Sequence, residues 1–240
     1  ESFFNLLGGP LPALLQQRAI KTARQRFDYD FTLKKADEIT AIFYPDLVAE
    51  EYIRMKGHYY VGDRSVTMKL TTPSATISGV RLTQPLIDLK LEKGILNLVT
   101  EIDRAALSDS IWVSNFAVNS KGVGNTVQVN LGWEHQRPSA YNGNLSALVN
   151  VESRSRYAVT LLESDLILAD TTWQVHADGP TMLDSGTVSF GNLIFEHAGQ
   201  KLQIDGRLSN SYNDVLDVVL TNIDLHWLNL MTEDAGFALA

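Results

Sequence analysis

The residues best suited to hold a metal or move a proton near neutral pH are scattered. The five histidines are His58, His135, His176, His197 and His226. No two stand at a metal-ligand spacing, and no H-E-x-x-H occurs. His176 and Asp178 are two apart near a predicted strand end and share a face, which reads as a surface pair. Glu134 and His135 are adjacent, so a strand points them to opposite faces. The chain has no cysteine, which excludes disulfides, thiolate metal sites and cysteine nucleophiles. There is no G-x-S-x-G elbow and no phosphate-binding loop, and Gly122 and Gly124 read as turn glycines. Asp103, Asp109, Asp165 and Asp184 fall in turns or polar stretches. Asn144-Leu145-Ser146 matches the glycosylation sequon, which matters only in a eukaryotic secretory setting. With no local catalytic, metal or cofactor signal, the expectation is a protein that is not an enzyme and holds no cofactor.

Charge narrows the partners. The net charge is −8 and no basic block occurs anywhere. Phosphate binding needs clustered lysine and arginine, so nucleic acid is excluded as a partner, and nothing draws the chain to anionic lipid headgroups. Hydrophobic residues at 45% and charged residues at 20% describe a folded chain. There is no signal peptide and no apolar run long enough to cross a bilayer. The chain begins at Glu1 without methionine and ends with an apolar pattern just starting over residues 234–240. The expectation is an internal piece of a longer secreted or cell-envelope protein, with any anchor elsewhere.

What must position these residues is mostly strand. First comes a predicted helix: Leu11, Leu15, Ala19, Ala23 and Phe27 recur every fourth residue, widened by Leu14 and Ile20. Pro10 and Pro12 suit its start, and Arg18, Lys21, Arg24 and Arg26 its polar side. Such a helix either lies on a membrane or plugs the end of a sheet, and the plug is preferred. A second short helix is predicted over 36–43, stopped by Tyr44-Pro45.

From about Tyr52 the period becomes two. Val66, Met68 and Leu70 alternate with Thr67, Lys69 and Thr71. Val127, Val129, Leu131 and Trp133 alternate with polar or small residues. Leu202, Ile204 and Leu208 do the same, followed by Leu216, Val218 and Leu220. Each strand therefore has one apolar and one wet face. Breaks at Gly62-Asp63, Lys93-Gly94, Asn142-Gly143, Asp178-Gly179-Pro180 and Ala198-Gly199 predict tight turns. About a dozen strands follow, a ladder of ~55 Å if continuous. Such a sheet must curl into a trough, close into a barrel or split into two facing sheets. Of the tryptophans Trp112, Trp133, Trp173 and Trp227, the middle two keep register with apolar positions and read as core or groove lining.

A weak repeat accompanies the alternation. Ser78-Gly79 leads at seven residues to Leu86-Ile87 and then Gly94. Ser185-Gly186 leads at seven to Leu193-Ile194 and then Gly199. Together they suggest an elongated sheet grown by adding hairpins.

The last forty residues carry a resemblance. Residues 200–209 end a strand in Ile204-Asp205-Gly206. Then come a polar turn, Asn213-Asp214-Val215-Leu216-Asp217, and Thr221-Asn222-Ile223-Asp224-Leu225 ahead of Trp227-Leu228. This pattern resembles the repeats of the TamB-like (translocation and assembly module, AsmA-like) family, in its Bacteroidetes versions. Residues 35–103 are also similar, with a short helix, Tyr44-Pro45, and strands around 76–80 and 86–91. The resemblance implies a periplasmic protein anchored in the inner membrane outside this segment. It further implies a long taco-like sheet with an apolar interior, serving phospholipid transport between membranes or outer-membrane protein assembly and secretion. It implies no catalytic residues, and it names an outer-membrane assembly protein as a further partner.

The expected fold is thus mainly β, an elongated, curled, antiparallel-rich sheet with one or two N-terminal helices. Residues 1–50 form the helical segment and 51–240 the trough. The predicted groove lining is Val66, Met68, Leu70, Val127, Val129, Leu131, Trp133, Leu202, Ile204, Leu208, Leu216, Val218 and Leu220, facing acyl chains or apolar polypeptide strands. The alternative is a structural or docking module whose same residues form a packed core.

Overall fold

A computed structural model of the chain describes residues 11, 26–38, 46–60, 64–108, 112–134, 141–168 and 171–223. They form one antiparallel sheet of eighteen strands. The first rung of its ladder is β1 (Arg26–Leu33), which pairs with β3 (Ile53–Tyr60). With β2 (Leu47–Val48), β3 makes the second rung. The third is β4 (Ser65–Thr71) with β5 (Ser74–Ile77), and the fourth is β6 (Val80–Thr83) with β7 (Leu86–Glu92). Single long strands follow: β8 (Ile95–Ala106), β9 (Trp112–Val123), β10 (Thr126–Glu134) and β11 (Tyr141–Val151). Two split rungs come next, β12 (Arg156–Leu161) with β13 (Ser164–Leu168), then β14 (Thr171–Ala177) with β15 (Thr181–Asp184). The ladder ends in β16 (Thr187–His197), β17 (Gln200–Leu208) and β18 (Leu216–Thr221). Every rung pairs with the rungs before and after it in sequence. Thirteen rungs spaced ~4.8 Å apart give a ladder of roughly 58 Å.

The tight turns explain this plain meander. Ser78-Gly79, Lys93-Gly94, Gly124-Asn125, Ser185-Gly186 and Ala198-Gly199 all have both residues at positive φ. That is the signature of two-residue type I′ hairpins, whose twist matches that of the strands they join. Lys93-Gly94 and Ala198-Gly199 stand where the sequence predicts them.

Rungs are also broken in the middle, and the breaks line up. Thr72 N donates to Pro85 O and Gln84 N to Pro73 O, so the β4–β5 and β6–β7 breaks are neighbours. In β8 and β9 the pairing skips Asp103 and Asn115, the latter at φ 49°. In β10 the register shifts between Gly132 and Glu134. The line continues through the β12–β13 break, where Leu162 N donates to Ser146 O. It then passes through Asp178-Gly179-Pro180 and the β16 bulge, where Gly179 N donates to Gly191 O. Bulges bend the strand that carries them, so an aligned row of them creases the whole sheet. The weak sequence repeat is one such rung seen twice: turn, arm, break at Gln84 or Asn192 (φ 51° and 54°), arm, turn.

Several expectations are corrected. Phe27 ends no helix but lies in β1, so the sheet takes in residues assigned to the helical segment. Residues 12–25 of that predicted helix, and 39–43 of the second, lie outside the described residues; of the second only 36–38 are seen, as a helical turn. Asn142-Gly143 is no turn but part of β11. Asp178-Gly179-Pro180 breaks a rung without reversing it. Residues 76–80 are not one strand but span the hairpin between β5 and β6, whereas 86–91 fall within β7.

Candidate apolar groove

Directly paired residues of neighbouring strands point to the same face. Following the pairs gives continuous rows. One runs Phe31, Met55, Leu70, Ile87, Thr100, Val118, Leu131, Leu145. The next runs Tyr29, Gly57, Met68, Leu89, Leu98, Ser120, Val129, Ala147, Leu161. A third runs Phe27, Tyr59, Val66, Leu91, Leu96, Gly122, Val127, Val149, Val159. Beyond the β12–β15 region the apolar rows continue as Val175–Phe195–Leu202–Leu220, then Leu193–Ile204–Val218, Gly206–Leu216 and Val188–Leu208. Trp133 sits on the same face opposite Gly143. All thirteen predicted lining residues therefore share one face of one sheet.

Burial is uneven along it. Val66 and Leu91 form a buried pair with Tyr59, Leu89 and Leu96 against them, and Ile53 packs with Ala36, Ala49, Leu33 and Leu70. Ile102, Val151, Trp173 and Val175 are buried on the same face; Ala158 and Ile194 are buried on the other. At the ends the apolar face is open: Phe27 is 61% exposed, and Val218 and Leu220 are 53% and 48% exposed. Most of the remaining lining residues, including Met68, Leu70, Leu131, Leu202 and Ile204, are half-buried. Glycine admits one of the indole rings of the face. A Cβ on Gly143 would stand 2.2 Å from the Trp133 ring, so that side chain lies flat on bare backbone. Tyr29 crosses Gly57 similarly and donates its hydroxyl to Thr67 O at 3.0 Å, and burial raises its pKa above the usual value.

The other face is polar. Arg54 pairs with Asp30 at 3.1 Å and holds that carboxyl below its ordinary range. Ser146 bonds Asn130, and Thr126 bonds Asn150. His58 is the most chemically suggestive residue there. Its Nε2 is 2.8 Å from Ser65 Oγ and its Nδ1 is 2.9 Å from Thr67 Oγ1, which also accepts the His58 backbone N–H at 3.2 Å. Sequence reasoning passed over this trio, whose only signal is that Ser65 and Thr67 flank Val66 on a strand. These bonds knit β3 to β4. His176 faces Glu196 at 3.9 Å rather than Asp178, which instead bonds Asn192. Trp112 stacks under Arg104 at 4.2 Å. Asn144 of the sequon lies inside β11, paired on both sides. His135, His226, Asp109 and Trp227 lie outside the described residues. Among the described residues no cluster of His, Asp or Glu could hold a metal, and no helix is long and apolar enough to cross a membrane.

Comparison with protein-family models, with curated proteins and with solved structures finds no match to this chain.

Proposed function

We propose that the apolar face lines a groove for phospholipid acyl chains or unfolded apolar strands, in a non-enzymatic, membrane-anchored protein of the bacterial periplasm. Its role is then phospholipid transport between inner and outer membranes, outer-membrane protein assembly and secretion, or both. The observation that carries this reading is the continuity of the apolar rows from β1 to β18 with open, exposed ends. A flexible hydrocarbon chain can cover such a face without specific hydrogen bonds. The TamB-like pattern in residues 200–228 supports the cellular setting. A second reading rests on the buried Val66–Leu91 cluster: the face closes on itself as a dry core, and the sheet is a structural or docking module.

Native mass spectrometry after exposure to phospholipid vesicles separates the two. The groove reading expects retained phospholipid, lost in Leu131→Arg and Ile204→Arg with the far-ultraviolet circular dichroism unchanged. A clean apo mass at every lipid concentration, or unfolding of both variants, sinks it, because an arginine buried in a dry core costs several kcal/mol.

A further inference from the structure

The sheet carries a recess of about 500 Å³ at the tip of the β16–β17 hairpin. One wall is a single polar row. Gln174, Glu196 and Lys201 are successive partners across β14, β16 and β17, and Thr221 of β18 stands opposite Lys201. His197 and Gln200 line the recess too. Alternation from Phe195 and Leu202 places those two on the groove side, so the recess reaches round the strand ends from the polar face to the apolar one. The next row on the groove side is Val175, Phe195, Leu202 and Leu220, with Leu220 48% exposed.

The polar groups in the recess are sorted by hydrogen-bonding sense. On one side, Glu196 is a carboxylate and Gln174 offers a carbonyl. His197 lies against Trp173, ring centroids 6.0 Å apart, with its Nδ1 2.9 Å from Thr172 O. A carbonyl only accepts, so that nitrogen carries the hydrogen and Nε2 of the neutral ring is left as an acceptor. On the other side, Lys201 and Thr221 supply an ammonium and a hydroxyl. Glu196 reaches His176 at 3.9 Å, and Lys201 has no ion-pair partner among the described residues, although the two stand directly opposite.

An acceptor set and a donor set on neighbouring strands, ~4.8 Å apart, fit a zwitterion whose charges are one strand spacing apart. An α-amino acid carries both charges on one carbon, which is too close. Phosphoethanolamine separates them by a two-carbon tether. Its ammonium donates to Glu196, Gln174 and His197 Nε2, and its phosphate accepts from Lys201 and Thr221. We infer that this recess binds the phosphoethanolamine headgroup of a phospholipid whose acyl chains lie along Phe195, Leu202 and Leu220. The inference rests on the groove reading for those chains. A choline headgroup has no N–H to donate, and a glycerol headgroup brings no cation to Glu196.

The test exposes the whole 240-residue chain to vesicles of phosphatidylethanolamine, phosphatidylcholine and phosphatidylglycerol in equal parts, with identical acyl chains. Native mass spectrometry reads which lipid is retained. Phosphatidylethanolamine is expected to exceed either of the others about fivefold, the worth of one net hydrogen bond. Glu196→Lys is expected to transfer the preference to phosphatidylglycerol and Glu196→Gln to shrink it, both with unchanged circular dichroism. Lys201→Met should lower retention of all three, since each carries a phosphate. Equal retention of the three lipids, or a preference unmoved by both Glu196 variants, overturns the inference and leaves the groove reading standing. Free O-phosphoethanolamine, titrated while the amides of 196–201 are followed by nuclear magnetic resonance, separates the sources. Saturable shifts without any retained lipid overturn the lipid assignment in favour of a soluble zwitterion, and the groove reading falls with it.

Discussion

Single residues set what the apolar face can accommodate. Trp133 lies across Gly143 because a hydrogen is all that separates the ring from the β11 backbone. Gly143→Val should swing the ring off the sheet at a loss of about 1–3 kcal/mol, seen as a lower melting temperature together with a shifted tryptophan emission. An unchanged emission maximum would show that the ring rests elsewhere. On the polar face, Asp30 owes its lowered pKa first to its hydrogen bond from Arg54. A carboxyl depressed in the folded state stabilises above its unfolded pKa, and that contribution fades as pH falls through the folded value. The melting-temperature difference between the protein and Asp30→Asn should therefore be level near neutrality, begin to shrink as pH falls through about 4, and vanish only below the lower folded pKa. It should also shrink with added salt, because both groups are exposed. A difference that grows on acidification would contradict this assignment.

At the level of elements, the crease is the feature that side-chain patterning hides. Gly191 passes so close to Gly179 that an added Cβ would stand 2.6 Å from its backbone, and Gly206 at φ 102° would drive one to 2.3 Å from Val215 O. Backbone cannot step aside as a ring can. Gly191→Ala and Gly206→Ala should each destabilise by about 1–3 kcal/mol, lowering the melting temperature by several degrees. An alanine accepted at either position without such a fall would mean the strands do not approach closely there. The strands themselves were legible, because Val66-Met68-Leu70 and Leu202-Ile204 alternate without exception, and so were turns such as Lys93-Gly94, whose glycine tolerates positive φ. The breaks were not. Asn115, Asn192 and Gln84 bend their rungs with residues that are ordinary in any loop, and the bulges re-aim the apolar residues so that the face stays continuous. Asn142-Gly143 misled for the opposite reason, since its glycine serves a neighbouring tryptophan and not a turn. β1 was missed because Phe27 satisfies two periods at once. It extends the every-fourth-residue series from Leu11, yet it also opens the alternation Phe27, Tyr29, Phe31, Leu33. That the thirteen residues share one face was readable, since parity alone assigns it. The facing of Asp205 by Asp217 across β17 and β18 was not, because the two meet only through the register that the 209–215 connection sets.

For the molecule as a whole, the strand pairing among the described residues joins each rung only to its neighbours in sequence. Stability then approximates a sum of neighbouring interfaces, as in repeat proteins. Native-state hydrogen exchange should show the slowest amides in β8, β9 and β10, which have partners on both sides, and the fastest in β1 and β18. Uniform protection across the ladder would mean that one cooperative unit spans the sheet. The same nearest-neighbour wiring governs how the chain meets a mechanical load. Tension drawn along the ladder falls on one rung interface at a time, so the sheet peels open in small, equal steps from whichever end is pulled. Tension along the strands must instead shear a whole interface of hydrogen bonds together. A ladder of this kind is compliant in the direction in which it is long and stiff across it, and it can be stretched and re-formed a rung at a time without losing the rest of its structure.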